Sequence, residues 1–316
     1  MSEVGGRRSE RARACHVAFS DLGPQASDLS CNATLPLIRL ALREDAAARD
    51  ATSRAVLSPV TRTRARVIAK APGILAGGQV AAWTFQAVDP RLRCVLKRRD
   101  GAALAKGQTI LTIEGRARSI FAAERTALNF LGHLSGIATL TAAFVRRTRG
   151  TRATIFDTRK TLPGLRALEK HAVRAGGGHS HRNDLAQAVL IKTNHLLAYS
   201  AQRIAYRKAI QKIVRLARKK ARGRMVEIEV RSFAEFLTAL EARPHAILLD
   251  NWNLSSIRKA VLYAKRYTLN ARPLLEVSGG VTLANVRAIA KTGIDRISIG
   301  RLTHSAPSLD LSLEVY

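Results

Sequence analysis

After Arg149 the chain repeats one pattern six times: a short apolar run that ends at, or just before, a polar residue or a glycine. The runs are Ala153–Asp157, Ala188–Lys192, Val226–Val230, Ala246–Asp250, Leu274–Ser278 and Arg296–Gly300, and helical patterns fill most of the gaps. Strands alternating with helices predict a parallel sheet with right-handed crossovers. The C-terminal ends carry Asp157 with Arg159 and Lys160, then Lys192, Glu229, Asp250, Ser278 with Gly279 and Gly280, and Gly300. In α/β barrels that rim is where the chemistry sits.

The stretch Asp157–His195 is the densest part of this rim. It places Arg159, Lys160, Lys170, Arg174, His181, Arg182 and Lys192 around the run Gly176-Gly177-Gly178. Guanidinium forks and ammonium groups beside a flexible backbone suit a small polyanion. A solvated helix face is the ordinary fate of a charge run. Here the charges fall in Gly-, His- and Asn-rich turns, so an anion site is expected.

A length of 316 residues allows two domains and a sizeable core. With 47% hydrophobic and 24% charged residues the chain is globular rather than disordered. Three cysteines (Cys15, Cys31, Cys94) show no metal-ligand spacing and no even framework, so a reduced, cytoplasmic setting is expected. No stretch approaches a transmembrane span. The N-terminus lacks the apolar core of a secretory signal, and Glu3 and Glu10 argue against a transit peptide. The net charge of +30 implies non-specific affinity for nucleic acid through counterion release. Arginine is spread along the chain as compositional bias would leave it, and no aromatic stacking pattern accompanies the basic runs.

Residues 1–33 lack sustained periodicity and read as a flexible tail. Thr34–Ala48 has Leu35, Ile38, Leu42 and Ala46 at helical spacing, with Thr34 as N-cap and Pro36 in the first turn. Thr61–Ala71 alternates as a strand, and Cys94–Ile113 reads as short strands broken at Asp100-Gly101 and Lys106-Gly107. Lys106 is expected to be a surface turn residue. Ser119–Arg149 is a long helix with Phe121, Leu128, Leu131, Leu134 and Ile137 toward the core, broken or kinked at Gly132 and Gly136. Ala201–Arg224, with ten basic residues and no acid, is expected to be an outer helix with a solvated basic face.

The motifs DTRKT, PGLR-x-LEK, AVR-x-GGG, HR and LIK-x-NH, all within Asp157–His195, resemble the quinolinate phosphoribosyltransferase family, the carboxylating nicotinate-nucleotide pyrophosphorylases. ALREDAAARDATS, PGILAGG and AERTALNFLGHLSGIATLT extend the likeness upstream, and VEIEV, ILLDN, EVSGGV and DRISIGRLTHSAPSLDLSLEV extend it downstream. It covers nearly everything after about Thr34, in the family's order. The resemblance implies an open six- or seven-stranded parallel α/β barrel (type II phosphoribosyltransferase) over residues 119–301. It also implies an N-terminal α+β sandwich domain over residues 34–118, with residues 302–316 packing on it.

By the same resemblance the chain transfers phosphoribosyl from phosphoribosyl pyrophosphate (PRPP) to quinolinate with decarboxylation, giving nicotinate mononucleotide for NAD biosynthesis. Holding two adjacent carboxylates needs several cations, and each charge-assisted hydrogen bond contributes about 1.5–3 kcal/mol. The candidates carried over are Arg159, His181, Arg182 and Lys192. Arg125, in the ERTALN motif, is implied to reach into the neighbouring subunit's site, which makes the working unit at least a homodimer. Displacement of pyrophosphate passes through a ribosyl cation-like state, for which Glu229 and Asp250 are the expected carboxylates, holding ribose hydroxyls and Mg²⁺. Glu227 is expected on the opposite face of its strand, paired with an arginine. Lys160 and Lys192 are expected to hold the leaving pyrophosphate, and Ser278, Gly279, Gly280 and Gly300 the 5′-phosphate. A pyridinium stabilises the carbanion left by CO₂, so no cofactor besides Mg²⁺ is implied.

Three positions depart from the family pattern beside this site: Asp184 where glycine is usual, and Gln187 and Thr193 where aspartate is. Alternative readings are a pyrophosphorylase-like paralogue acting on another heterocycle, and a basic nucleic-acid-binding protein on a retired enzyme fold.

Overall fold

A computed structural model describes residues 18–19, 29–201, 205–267 and 272–316, so most of the expected tail lies outside the described residues. Two compact units emerge: residues up to 142 with 162–177 and 305–316, and residues 143–161 with 178–304.

The first unit contains β1 (Ala18–Phe19), β2 (Arg62–Ala69), β3 (Gly73–Ile74), β4 (Arg93–Leu96), β5 (Ala103–Leu104) and β6 (Thr109–Arg116). A five-stranded sheet runs in the order β1-β4-β6-β2 and ends on the C-terminal strand Leu311–Val315, while β3 and β5 pair separately. Alternation turns Ala65, Val67 and Ala69 of β2 into a core shared with Leu111, Ile113 and Phe85. Gly101 and Gly107 adopt φ of +87° and +82°, which is why the strands break at those positions. Lys106 is exposed in its turn.

Four expectations are corrected in this unit. The first helix is Cys31–Glu44 with Ser30 as its N-cap. Thr34 sits one turn inside, its hydroxyl donating to the Ser30 carbonyl oxygen (2.9 Å). A threonine hydroxyl bonds backbone in either place, so residue type alone does not separate a cap from the next turn. The long helix Ala117–Thr148 runs unbroken through Gly132 and Gly136. A Cβ on Gly136 would collide with the Pro307 carbonyl oxygen, and Leu309 N–H donates to the Gly132 carbonyl (2.9 Å). These glycines make room for chain rather than end a helix. By length and composition that helix is also apolar enough to cross a membrane, although Ile120, Leu131, Leu134, Ile137 and Phe144 are buried within the fold. Finally, Cys94 is a buried free thiol but Cys31 is disulfide-bonded; an odd number of cysteines does not exclude a pair.

The second unit holds β7 (Thr154–Phe156), β8 (Val189–Ile191), β9 (Val226–Val230), β10 (Ala246–Asp250), β11 (Leu274–Ser278) and β12 (Arg296–Ser298). These are the six runs read from the sequence, trimmed at the ends of β7, β8 and β12. All pairings are parallel, in the order β7-β12-β11-β10-β9-β8. Among the described residues β7 and β8 do not pair with each other, so the barrel is open. Burial on both faces explains the near-continuous apolar runs; all five residues of β9 are buried. The helix Tyr206–Lys220 buries Ala209, Ile210 and Val214. It pairs Arg207 with Glu241 of the helix Phe233–Ala242 (3.3 Å) and leaves most of its other cations exposed.

Candidate active site

Strand alternation and the parallel register set the site. Asp250 of β10 lies beside Ser278 of β11, and Ser278 beside Ser298 of β12. Glu229 and Glu276 flank Leu248 from either side. These inward residues and the turns that follow the strands line a cavity of about 270 Å³, joined by Thr158, Arg159, Lys160, His181, Arg182, Leu190 and Lys192. Two larger cavities in the first unit, about 540 and 320 Å³, hold none of the site residues expected from the sequence.

Five of the seven cations singled out within Asp157–His195 thus meet in one place. The other two, Lys170 and Arg174, lie on the helix Arg166–Ala175 in the first unit, where Lys170 is buried. Gly176 caps that helix and Gly177 takes φ of +82°. The glycine run therefore ends a helix rather than approaching a ligand. Arg125 is exposed on the helix Ala117–Thr148, in the first unit.

The two arginines at the cavity are short of partners. Arg182 is 6% exposed and donates to the Ala188 carbonyl oxygen (2.9 Å), not to a carboxylate. Burial, and next the charge of Arg159, push its pKa down. Arg159 has a buried Nε with no acceptor. A buried guanidinium in this condition is stabilised by an arriving anion.

The acids are held differently. Glu229 Oε1 accepts the Thr193 hydroxyl (2.8 Å) and the Thr193 N–H (3.4 Å). Arg231 stands 3.8 Å from Glu229 and 3.6 Å from Asp250. Glu227 is not turned away from Glu229. Residues two apart on a strand share a face, so both point inward, and Glu227 pairs with His181 (2.9 Å) rather than with an arginine.

Ser278 opens a turn in which Gly279 and Gly280 have φ of +86° and +61°. A Cβ at Gly279 would collide with the Asn251 side chain, whereas at Gly280 it meets open space. Bare backbone facing open space is what a phosphate cradle requires. Gly300 lies against Lys160, whose Cδ would stand 3.0 Å from an added Cβ.

Residues 50–135 match the family model for the quinolinate phosphoribosyl transferase N-terminal domain, and residues 137–314 that for its C-terminal domain. The chain belongs to the quinolinate phosphoribosyltransferase family. It is 40% identical over 292 residues to the nicotinate-nucleotide pyrophosphorylase [carboxylating] of Mycobacterium leprae, covering 92% of this chain and 99% of that one. A quinolinate phosphoribosyltransferase [decarboxylating] of Nicotiana glauca is 38% identical over 290 residues, covering 88% and 81%. The solved structure of NadC from Streptococcus pyogenes superposes with a TM-score of 0.83 at 36% identity, covering 92% of this chain and 99% of that chain.

Against that family pattern, two of the three departures serve the turn before β8. Asp184 Oδ1 accepts the N–H groups of Ala186 (2.8 Å) and Gln187 (2.9 Å), and Gln187 Oε1 accepts that of Asn183 (2.6 Å). Both side chains are exposed and neither lines the cavity. Thr193 differs, because it puts a donor against Glu229 where an aspartate would put a second carboxylate. Thr193→Val, near-isosteric, is expected to lower kcat about tenfold through loss of one hydrogen bond to a charged group, with the melting temperature little changed. Steady-state kinetics beside a thermal melt check this.

Reading the sequence missed Glu276, Ser298 and Arg231. Each carried a signal: Glu276, Ser298 and Arg231 lie two residues from Ser278, Gly300 and Glu229, so period two puts them on the same face.

Proposed function

We propose that this family member transfers phosphoribosyl from PRPP to quinolinate with decarboxylation, forming nicotinate mononucleotide, pyrophosphate and CO₂. The observation that carries the reading is the pairing, in one cavity, of two arginines lacking carboxylate partners with two carboxylates at neighbouring strand ends. Arg159, Arg182, His181 and Lys192 hold the two carboxylates of quinolinate and fix its ring nitrogen toward the anomeric carbon. That nitrogen attacks C1 as the bond to pyrophosphate breaks, and the departing oxygens move onto Lys160 and Lys192. Glu229 and Asp250 stabilise the positive charge that develops on the ribose. The C2–carboxylate bond then breaks, its electron pair staying on C2 beside the pyridinium nitrogen, and a solvent proton replaces CO₂. The 5′-phosphate rests on Ser278, Gly279, Gly280 and the backbone near Gly300.

The hard oxygen donors of Glu229 and Asp250 suit Mg²⁺, which when bound with PRPP neutralises charge on the leaving group. The working unit is a homodimer in which the exposed Arg125 enters the neighbouring subunit's site.

The test is direct. Protein incubated with quinolinate, PRPP and Mg²⁺ should release CO₂ and nicotinate mononucleotide in equal amounts. A folded sample that forms neither overturns the reading.

A further inference from the structure

Beneath the strand-end acids lies a pair of buried carboxylates that the mechanism above does not use. Glu227 of β9 and Glu276 of β11 are 1% and 0% exposed. His181 Nε2 lies between them, 2.9 Å from Glu227 Oε2 and 3.4 Å from Glu276 Oε1. The same Glu276 oxygen accepts the Ser298 hydroxyl, and the His181 backbone N–H donates to Asp157 Oδ1 (2.9 Å), which fixes the residue's main chain. Phe156 stands edge-on to the imidazole, 6.4 Å between centroids. The ring is thus held from β7, β9 and β11.

His181 Nε2 is placed to donate to both carboxylates. Burial, and next the charge of Glu276, raise the Glu227 pKa to about 7 against the pull of His181. The second oxygens, Glu227 Oε1 and Glu276 Oε2, have no hydrogen-bond partner. Buried carboxylates in that state are costly to the fold unless a cation stays beside them. Two cationic groups do: His181, and Arg296, which draws on Glu227 and lies over the Phe156 ring (4.9 Å). On the cavity side Arg182 also acts on Glu227, and Arg159, Lys160, Lys192, Glu229 and Asp250 share the lining with His181. Burial works against charge on His181, but the hydrogen bonds to Glu227 and Glu276 outweigh it and raise its pKa to about 10.

We infer that Glu227 and Glu276 are positioning residues that clamp His181 as a fixed imidazolium in the cavity wall, where it completes the cation set for the substrate's carboxylates. This rests on the quinolinate reading. The three ligand atoms also lie within 4.8 Å of one another, as at a small metal site, but Arg296 and Arg182 nearby oppose a dication.

The first arm is ¹⁵N NMR of the His181 ring in the substrate-free protein, assigned with His181→Asn. Both nitrogens should stay protonated from pH 7 to about pH 9, the midpoint falling by about one unit or more in Glu276→Gln. A neutral ring at pH 7 in the wild type overturns the clamp. So does a stoichiometric transition metal that is lost with His181→Asn. The second arm is kinetic. Glu227→Gln and Glu276→Gln should each raise the quinolinate KM about tenfold or more, with the PRPP KM within about twofold. Adding His181→Asn to either should cost little more, because both act through the same imidazole. Losses that multiply independently overturn the proposal. Should the wild type fail to turn over quinolinate, the functional reading falls while the NMR arm still decides the clamp. That arm also decides if the glutamine variants do not fold.

Discussion

Asp250→Asn is expected to lower kcat by about 10²–10³-fold, the scale seen when one preorganised electrostatic group is removed from a transition state. Asp250 ends β10, lines the cavity and has Arg231 3.6 Å away. Asparagine keeps the shape and one acceptor oxygen, so the β10 register and the fold should survive, as circular dichroism and a thermal melt can verify. What it removes is the negative charge. Ground-state PRPP binding gains modestly from that charge, but the ribosyl cation-like state gains most, so the loss should appear in kcat more than in the PRPP KM. An unchanged kcat would take Asp250 out of the transition state. The same variant also tests the assembly. Mixed and re-equilibrated with Arg125→Ala, itself inactive if Arg125 serves a neighbour, it should restore about a quarter of wild-type activity, because half the dimers then carry one intact site. Mixtures that stay inactive would separate Arg125 from the neighbouring site.

How far the sequence anticipates this site depends on how local the governing physics is. Strands such as Ala246–Asp250 are buried on both faces and leave an unbroken apolar run that stops where the rim begins, so strand and site residue are legible together. The five cations at the cavity and the acids Glu229 and Asp250 belong to that class. Facing is legible too when period two is applied evenly. Glu227 is misplaced only when it is set opposite Glu229, which stands two residues on and so shares its face. Lys170 and Arg174 are harder. Their charge resembles that of Arg159 or Arg182, but LEKHAVR also satisfies a helical period, and the helix Arg166–Ala175 carries them into the first unit. Charge density along the chain does not say which unit a segment joins.

Gly136 is the clearest case of non-local information, and it gives a prediction whose sign discriminates. In an isolated helix Gly→Ala adds about 1 kcal/mol of stability, so local propensity makes Gly136→Ala stabilising. The structure makes it destabilising, because the new Cβ meets the backbone carbonyl of Pro307, which cannot rotate away as a side-chain end would. Moving that carbonyl would drag on the chain just after it, which is fixed twice. Leu309 N–H is bonded to the Gly132 carbonyl, and Leu311–Val315 is paired antiparallel with β2. Overpacking of this kind costs about 1–3 kcal/mol. Gly136→Val, bulkier and β-branched, should exceed that and lower the melting temperature by several degrees, at about 2–4 °C per kcal/mol for a unit of this size. A melting temperature that rises for Gly136→Ala would mean the Pro307–Leu309 segment yields freely. The helix would then keep its glycine for some reason other than the chain that crosses it.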